Sequence, residues 1–220
     1  ITFDPATESG GATQRIYASV SETAGLYVSE DGGATWSAVA DQYQGMPQRI
    51  RLDSKGNVYV IYGNKEGPWN QTTGAVCKYD MTAGTYENIA PTGGPYGDLA
   101  IDPTNEERMV LVTTQTWSQQ PNGAFGDVFY VSTDGGKSWK DTLGSMEMAT
   151  NGMDWIEDCA IHWCSCLSMN PFDTDEIMVT GGNGIFACDN IFDENPMFYF
   201  NSAGINETVP MDIITLEDYP

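Results

Sequence analysis

Ser29-Glu30-Asp31-Gly32-Gly33-Ala34-Thr35-Trp36 recurs in this chain as Ser132-Thr133-Asp134-Gly135-Gly136-Lys137-Ser138-Trp139. Both copies satisfy Ser-x-Asp-x-Gly-x-(Thr or Ser)-Trp, and each lies between two short apolar runs, so each reads as the turn of a β-hairpin. The residue types suit a turn: the aspartate accepts hydrogen bonds from nearby backbone N–H groups and glycines supply positive φ. The tryptophan is expected to fold back as an apolar plug beneath the hairpin. Ser29, Asp31, Gly33 and Trp36, with Ser132, Asp134, Gly136 and Trp139, are therefore assigned to fold-stabilising turns of the Asp-box (BNR repeat) type, not to catalysis.

A longer period surrounds these turns. Thr2-Phe3-Asp4-Pro5, Arg51-Leu52-Asp53, Ala100-Ile101-Asp102-Pro103 and Ser168-Met169-Asn170-Pro171 each set an acid or amide after an apolar strand. A polar turn and three further β-rich runs follow each anchor. In the first unit these are Arg15 to Val20, Gly25 to Ser29 and Ser37 to Ala40. Four strands every roughly 50 residues describe the blades of an all-β propeller with four-stranded antiparallel blades. The expected blades are 1–40, 47–90, 97–143 and 158–204, and 205–220 opens a next blade, its strand beginning at Asp212. Propellers close with four to eight blades, and four units with the opening of a fifth leave an open end, so the chain is expected to be part of a longer polypeptide unless other segments complete the circle.

Composition bounds the setting. The 24 glycines, 11% aromatic content and lack of helical periodicity suit an all-β chain. No apolar run reaches the length of a membrane span. The chain opens on strand-forming residues at Ile1 and not on a leader, as expected of a mature or truncated product. A net charge of −22, from 31 acidic against nine basic residues, argues against nucleic acid and anionic membranes as partners and suits an extracellular, secreted protein.

With the repeat in place, further residues carry a resemblance. Gly74-Ala75-Val76-Cys77-Lys78-Tyr79-Asp80, Gly97-Asp98-Leu99-Ala100-Ile101-Asp102-Pro103, Trp155-Ile156-Glu157, Asn170-Pro171-Phe172-Asp173 and Thr180-Gly181-Gly182-Asn183-Gly184-Ile185 are similar in order and spacing to the first propeller of glycoside hydrolase family 74, the xyloglucanases and oligoxyloglucan reducing-end-specific cellobiohydrolases. The resemblance implies two seven-bladed propellers facing across a cleft, with one catalytic aspartate from each. It implies inverting hydrolysis of xyloglucan or another β-1,4-glucan without a cofactor or metal. This chain matches the latter part of the first propeller, so the resemblance puts both catalytic aspartates outside it, and the remaining blades and second propeller of the parent become its partners. An inverting pair needs carboxyls roughly 6.5–9.5 Å apart. Asp154, Glu157 and Asp158 are the internal alternative, but neighbours in sequence rarely hold that separation. A sialidase reading fails for want of an arginine cluster, since Arg15, Arg49, Arg51 and Arg108 mostly open strands.

Substrate contacts are expected in the loops between second and third strands and between blades, which open on the face opposite the Asp-box turns. Trp69, Trp117 and Trp155 fall in three such long loops, with Gln115, Gln119, Asn122 and Asn151 nearby. Flat rings stack on the apolar faces of β-glucosyl units while amides bond hydroxyls, so Trp69, Trp117, Trp155, Gln115 and Asn151 form the expected saccharide-binding set; the competing use of each tryptophan is to anchor its own loop. Cys159, Cys164 and Cys166 with His162 could supply zinc ligands, but their spacing fits no standard zinc motif. Cys164 and Cys166 are expected to share one strand face, and burial or a disulfide within the cluster are the other uses. Asn70-Gln71-Thr72 and Asn206-Glu207-Thr208 are glycosylation sequons. The alternative function is a non-catalytic extracellular propeller that binds glycan or protein on its tryptophan rim.

Overall fold

The computed structural model describes residues 1–20, 25–66, 70–120, 123–152, 160–205 and 210–215. Apart from one 3-10 turn, Pro5–Thr7, the described elements are strands. The chain divides into two compact units, Ile1–Tyr96 and Gly97–Pro220.

The first unit holds two antiparallel four-stranded meanders. Blade I is built from Thr2–Phe3, Ile16–Val20, Gly25–Ser29 and Ser37–Ala38, and blade II from Met46–Leu52, Val58–Gly63, Gly74–Asp80 and Thr85–Asn88. Val58–Gly63 is buried along its whole length, which is why it reads as a continuous apolar run instead of alternating. Tyr17, Leu26, Ile50, Val58, Val60, Ala75 and Cys77 pack into one core, and Tyr62 and Tyr79 complete it. Their hydroxyls would be costly to bury alone; they meet at 2.5 Å, and Tyr79 also accepts from the Tyr43 amide.

In the second unit blade III comprises Tyr96–Ile101, Met109–Thr113, Phe129–Ser132 and Lys140–Asp141. Blade IV comprises Cys166–Met169, Ile177–Gly181, Gly184–Cys188 and Met197–Phe200. Val110, Val112, Phe129, Leu167, Val179, Phe186, Phe198 and Phe200 form its core, with Phe129 and Phe198 rings 4.5 Å apart. The connection from Leu143 onward, expected to be a loop, contributes a fifth strand to blade IV: Glu147–Ala149 runs parallel to Met197–Phe200 and sets Met148 against the core. Residues 211–215 follow the first strand of blade IV but form no strand, because side chains and not a backbone ladder hold them. The Ile213 amide meets Cys166 Sγ at 3.4 Å, and Thr215 Oγ1 donates to Met169 O at 3.1 Å.

The repeated acid-or-amide anchors have one physical role. A side-chain oxygen of Asp4, Asp53, Asp102 and Asn170 accepts from the amide two residues on, at Ala6, Lys55, Thr104 and Phe172, at 2.8–3.1 Å. Each turns the chain from the first strand of its blade into the second, and Pro5, Pro103 and Pro171 pre-set the following φ.

The two octapeptide turns are built alike. Asp31 Oδ1 accepts from Thr35 N and Ser29 Oγ, and Oδ2 from Thr35 Oγ1. Asp134 does the same with Ser138 and Ser132. Gly33 and Gly136 donate to the serine hydroxyls with φ of 92° and 85°, a region closed to most side chains. The tryptophan differs from expectation. Trp36 is 41% exposed and its indole N–H donates to Gly33 O at 3.1 Å, so it covers the turn from outside instead of plugging it from beneath. That hydrogen bond fixes the ring over the glycine, away from the core.

Candidate saccharide-binding rim

The second unit brings three loop segments together at one end of its blades. They are the connection 114–128 between the second and third strands of blade III, the link 160–165 into blade IV, and the tight turn Gly182–Asn183 of blade IV. Gln120, 3% exposed, donates to Asp127 O and Ile161 O and accepts from Ile161 N. Asp127 N donates to Ile161 O, Gly182 N to His162 O, and Asn183 Nδ2 to Ala160 O. Within the first loop a small hairpin, Ser118–Gln119 with Phe125–Gly126, holds the chain upright.

Trp117 is carried outward on this frame, 51% exposed. The ring of His162 lies 5.7 Å from it, tilted at 34°, and Trp163 stands edge-on at 6.3 Å and 83°. Burial lowers the His162 pKa, so the imidazole is neutral near pH 7. Its Nδ1 and the Asn183 Oδ1 are enclosed, with no hydrogen-bond partner among the described residues. Gly182 lets the turn approach closely, since a Cβ would sit tightly at 3.0 Å from Trp163 Cβ and 3.2 Å from His162 Nδ1. A half-exposed indole backed by an imidazole suits stacking on a pyranose face.

The expected site residues fare differently. Gln115 and Asn151 take positive φ, 58° and 51°, and Asn151 Nδ2 is committed to Phe200 O at 3.2 Å. Gln119 is exposed on the hairpin. Trp69, Asn122, Asp154, Trp155, Glu157, Asp158 and Cys159 lie outside the described residues, as does Asn206. Asn70 is exposed, and its loop is held by Gln71 and Asn64, whose amides satisfy the surrounding backbone. His162 was weighed only as a metal ligand, and Trp163, Gln120, Asp127 and Asn183 were not singled out. Adjacent ring-bearing residues, His162-Trp163, at the entry to a strand were the available signal.

The cysteines are corrected too. Cys77, Cys164 and Cys188 are free and buried, and Cys166 is a buried thiol. Cys164 and Cys166 do not share a face, because the strand begins only at Cys166. Cys164 enters the blade III–IV core, while Cys166 Sγ points to Asp212 Oδ1 at 2.8 Å. Among the described residues no His, Cys, Asp and Glu side chains gather in a metal-binding group.

A groove of about 520 Å³ lies elsewhere in this unit, between the blade IV strands and Ile213–Thr215, with Phe172 and Ile214 exposed in its wall. Its polar lining is engaged internally, Asn170 Nδ2 donating to Glu176 Oε2 at 2.6 Å.

Antiparallel four-stranded blades with aromatic and amide groups on the connecting loops define a β-propeller segment. No family profile matches the chain. It is 28% identical, over 98% of its length, to a xyloglucanase of Paenibacillus sp, and covers 24% of that protein. The GH74 enzyme of Niastella koreensis superposes with a TM-score of 0.83 at 37% identity, over 90% of this chain and 30% of that one. The GH74 xyloglucanase of Xanthomonas campestris superposes with a TM-score of 0.79 at 30% identity. The chain belongs to glycoside hydrolase family 74, and it spans about a quarter to a third of the length of the curated relatives it matches. Among the described residues no helix is long and apolar enough to cross a membrane.

Proposed function

We propose that the chain is part of a secreted hydrolase of xyloglucan or a related β-1,4-glucan, contributing propeller scaffold and one wall of the substrate cleft. The observation that carries this reading is Trp117, held half-exposed against His162 on a frame whose polar atoms are otherwise satisfied. The names of the relatives supply the substrate class. In this reading the sugar lies across Trp117. The catalytic acid and base come from parts of the parent polypeptide outside this chain, whose remaining blades complete the propeller. Acid–base chemistry on the sugar requires two carboxyls on opposite sides of the bond, and the rim described here supplies a floor and not such a pair.

The test is hydrolysis of xyloglucan by the full-length protein, with oligosaccharide affinity measured beside Trp117→Ala. Loss of the stacking ring should weaken binding by about 1 kcal/mol or more, roughly fivefold. A full-length protein that binds the oligosaccharide through Trp117 but hydrolyses nothing would support the non-catalytic glycan-binding alternative. Unchanged affinity would return Trp117 to a loop-anchoring role.

A further inference from the structure

Asp127 is fully buried, and its hydrogen-bond partners are neutral donors. Its two oxygens are divided between two segments. Oδ1 accepts from Thr116 N at 3.0 Å, Thr116 Oγ1 at 3.2 Å and Thr113 Oγ1 at 3.3 Å. Oδ2 accepts from Cys164 N at 3.0 Å. Thr116 directly precedes Trp117, and Cys164 directly follows Trp163. Both tryptophans take positive φ, 52° and 57°, and Gln115 before Thr116 does so at 58°. Such a conformation is strained for a large side chain and persists only where its surroundings over-determine it. Three in two short segments, joined through one carboxylate, mark a built arrangement.

We propose that Asp127 is a positioning residue for the saccharide rim: by gripping the neighbours of Trp117 and Trp163 with its two oxygens, it sets the spacing of the Trp117–His162–Trp163 cluster. The proposal rests on the sugar-binding reading for its consequence but not for its geometry. An asparagine fits the same space and cannot replace the carboxylate. Its single oxygen satisfies one segment, and its NH2 then faces an N–H of the other. Burial pushes the carboxyl up to about 6 against its donors, the Cys164 and Thr116 amides foremost. The titratable group in contact with it is the Cys164 thiol, held far above its usual value by burial. As pH falls through about 6 the carboxyl takes up a proton, and one oxygen becomes a donor facing donors. The grip weakens in the acid direction.

The experiment uses the full-length protein and reads ring position and catalysis separately. Acrylamide quenching of Trp117, obtained by difference from a Trp117→Phe background, should rise in Asp127→Asn. KM for a xyloglucan oligosaccharide should rise about tenfold, as expected for a lost charge-assisted hydrogen bond, with kcat little changed. If Asp127→Asn does not fold, the unmutated carboxyl serves instead: in a His162→Gln background, Trp117 quenching should rise as pH drops through about 6. Trp117→Ala separates the two readings. If it leaves KM unchanged, the sugar reading falls, while the quenching experiment still decides the role of Asp127. If it raises KM but neither loss of the Asp127 charge nor its protonation alters Trp117 quenching, the positioning role is overturned.

Discussion

Arg108 is the side chain whose loss should be felt furthest within the second unit. It stands at the turn into the second strand of blade III and reaches the equivalent turn of blade IV. Its guanidinium donates to Asp102 Oδ2 at 2.9 Å and to Thr174 Oγ1 at 2.8 Å, pairs with Asp175, and lies 4.1 Å over the Phe192 ring. The partners are unequal. Asp102 has no exposed side-chain surface, whereas Asp175 is 53% exposed and its pairing is screened by water, worth less than about 1 kcal/mol. Arg108→Ala removes a charge-assisted bond to a buried carboxylate, about 1.5–3 kcal/mol, and a cation–π contact of about 1 kcal/mol. Thr104 N, Thr104 Oγ1 and Asn105 N still donate to Asp102 Oδ1, while Oδ2 loses the guanidinium. The loss should therefore come to about 3 kcal/mol, at the lower edge of what breaking a buried ion pair costs. Hydrogen exchange of the full-length protein reads it locally. Amides of Met109–Thr113 and Ile177–Gly181 that exchange through opening of this unit should speed up by roughly 100-fold, while Asp175→Asn changes them less than about fivefold. The reasoning fails if Arg108→Ala accelerates them no more than Asp175→Asn does.

Three other outcomes follow from the same contacts. In the first unit, Tyr79→Phe leaves both the Tyr62 hydroxyl and the Tyr43 amide without that partner and should cost about 2 kcal/mol; Tyr62→Phe should cost about 1 kcal/mol, and equal losses by exchange of Val58–Gly63 would show that the amide does not depend on Tyr79. Asp134 is held at about 2 by the Ser138 hydroxyl, the Ser138 amide and the Ser132 hydroxyl, so its contribution is present above 3.8 and disappears as pH falls through about 2. An NMR titration should show that value and a rise toward 3.8 in Ser138→Ala; a midpoint near 3.8 in the unaltered protein would contradict the turn geometry. For Asp127 the sign reverses. With a folded value of about 6 against 3.8, its contribution is full below 3.8 and lost as pH rises through about 6, about 3 kcal/mol in all. The stability of Asp127→Asn relative to the unaltered protein should therefore improve between about pH 4 and pH 7, and a constant difference would mean that the carboxyl titrates normally.

That reversal connects the site to its cost. A buried carboxylate without a cation is an expensive way to join two loops. An amide would be cheaper to bury, but it lacks a second acceptor for the second N–H.

Much of the architecture was legible in the chain because it is made of local signals. The octapeptide turns, the anchors at Asp4, Asp53, Asp102 and Asn170, and the continuous apolar run at Val58–Gly63 each act within a few residues, so order and spacing reveal them. The exposure of Trp36 was not legible, since one indole hydrogen bond decides it. Nor was the strand Glu147–Ala149, which is short and stabilised by a partner some 50 residues away. The cysteine faces depended on where a strand begins, and strand starts are poorly marked.

The sequence by itself determined the repeat and the turns, because those follow from periodicity and backbone chemistry, and the order of its motifs carried the resemblance to the family. Only the tertiary structure decided which ring-bearing and polar residues meet. Trp117, Asp127, His162, Trp163 and Asn183 span three connections of two blades. Hydrogen bonds from Gln120, Asp127 and Gly182 close the distances between them, and no local pattern encodes such distances.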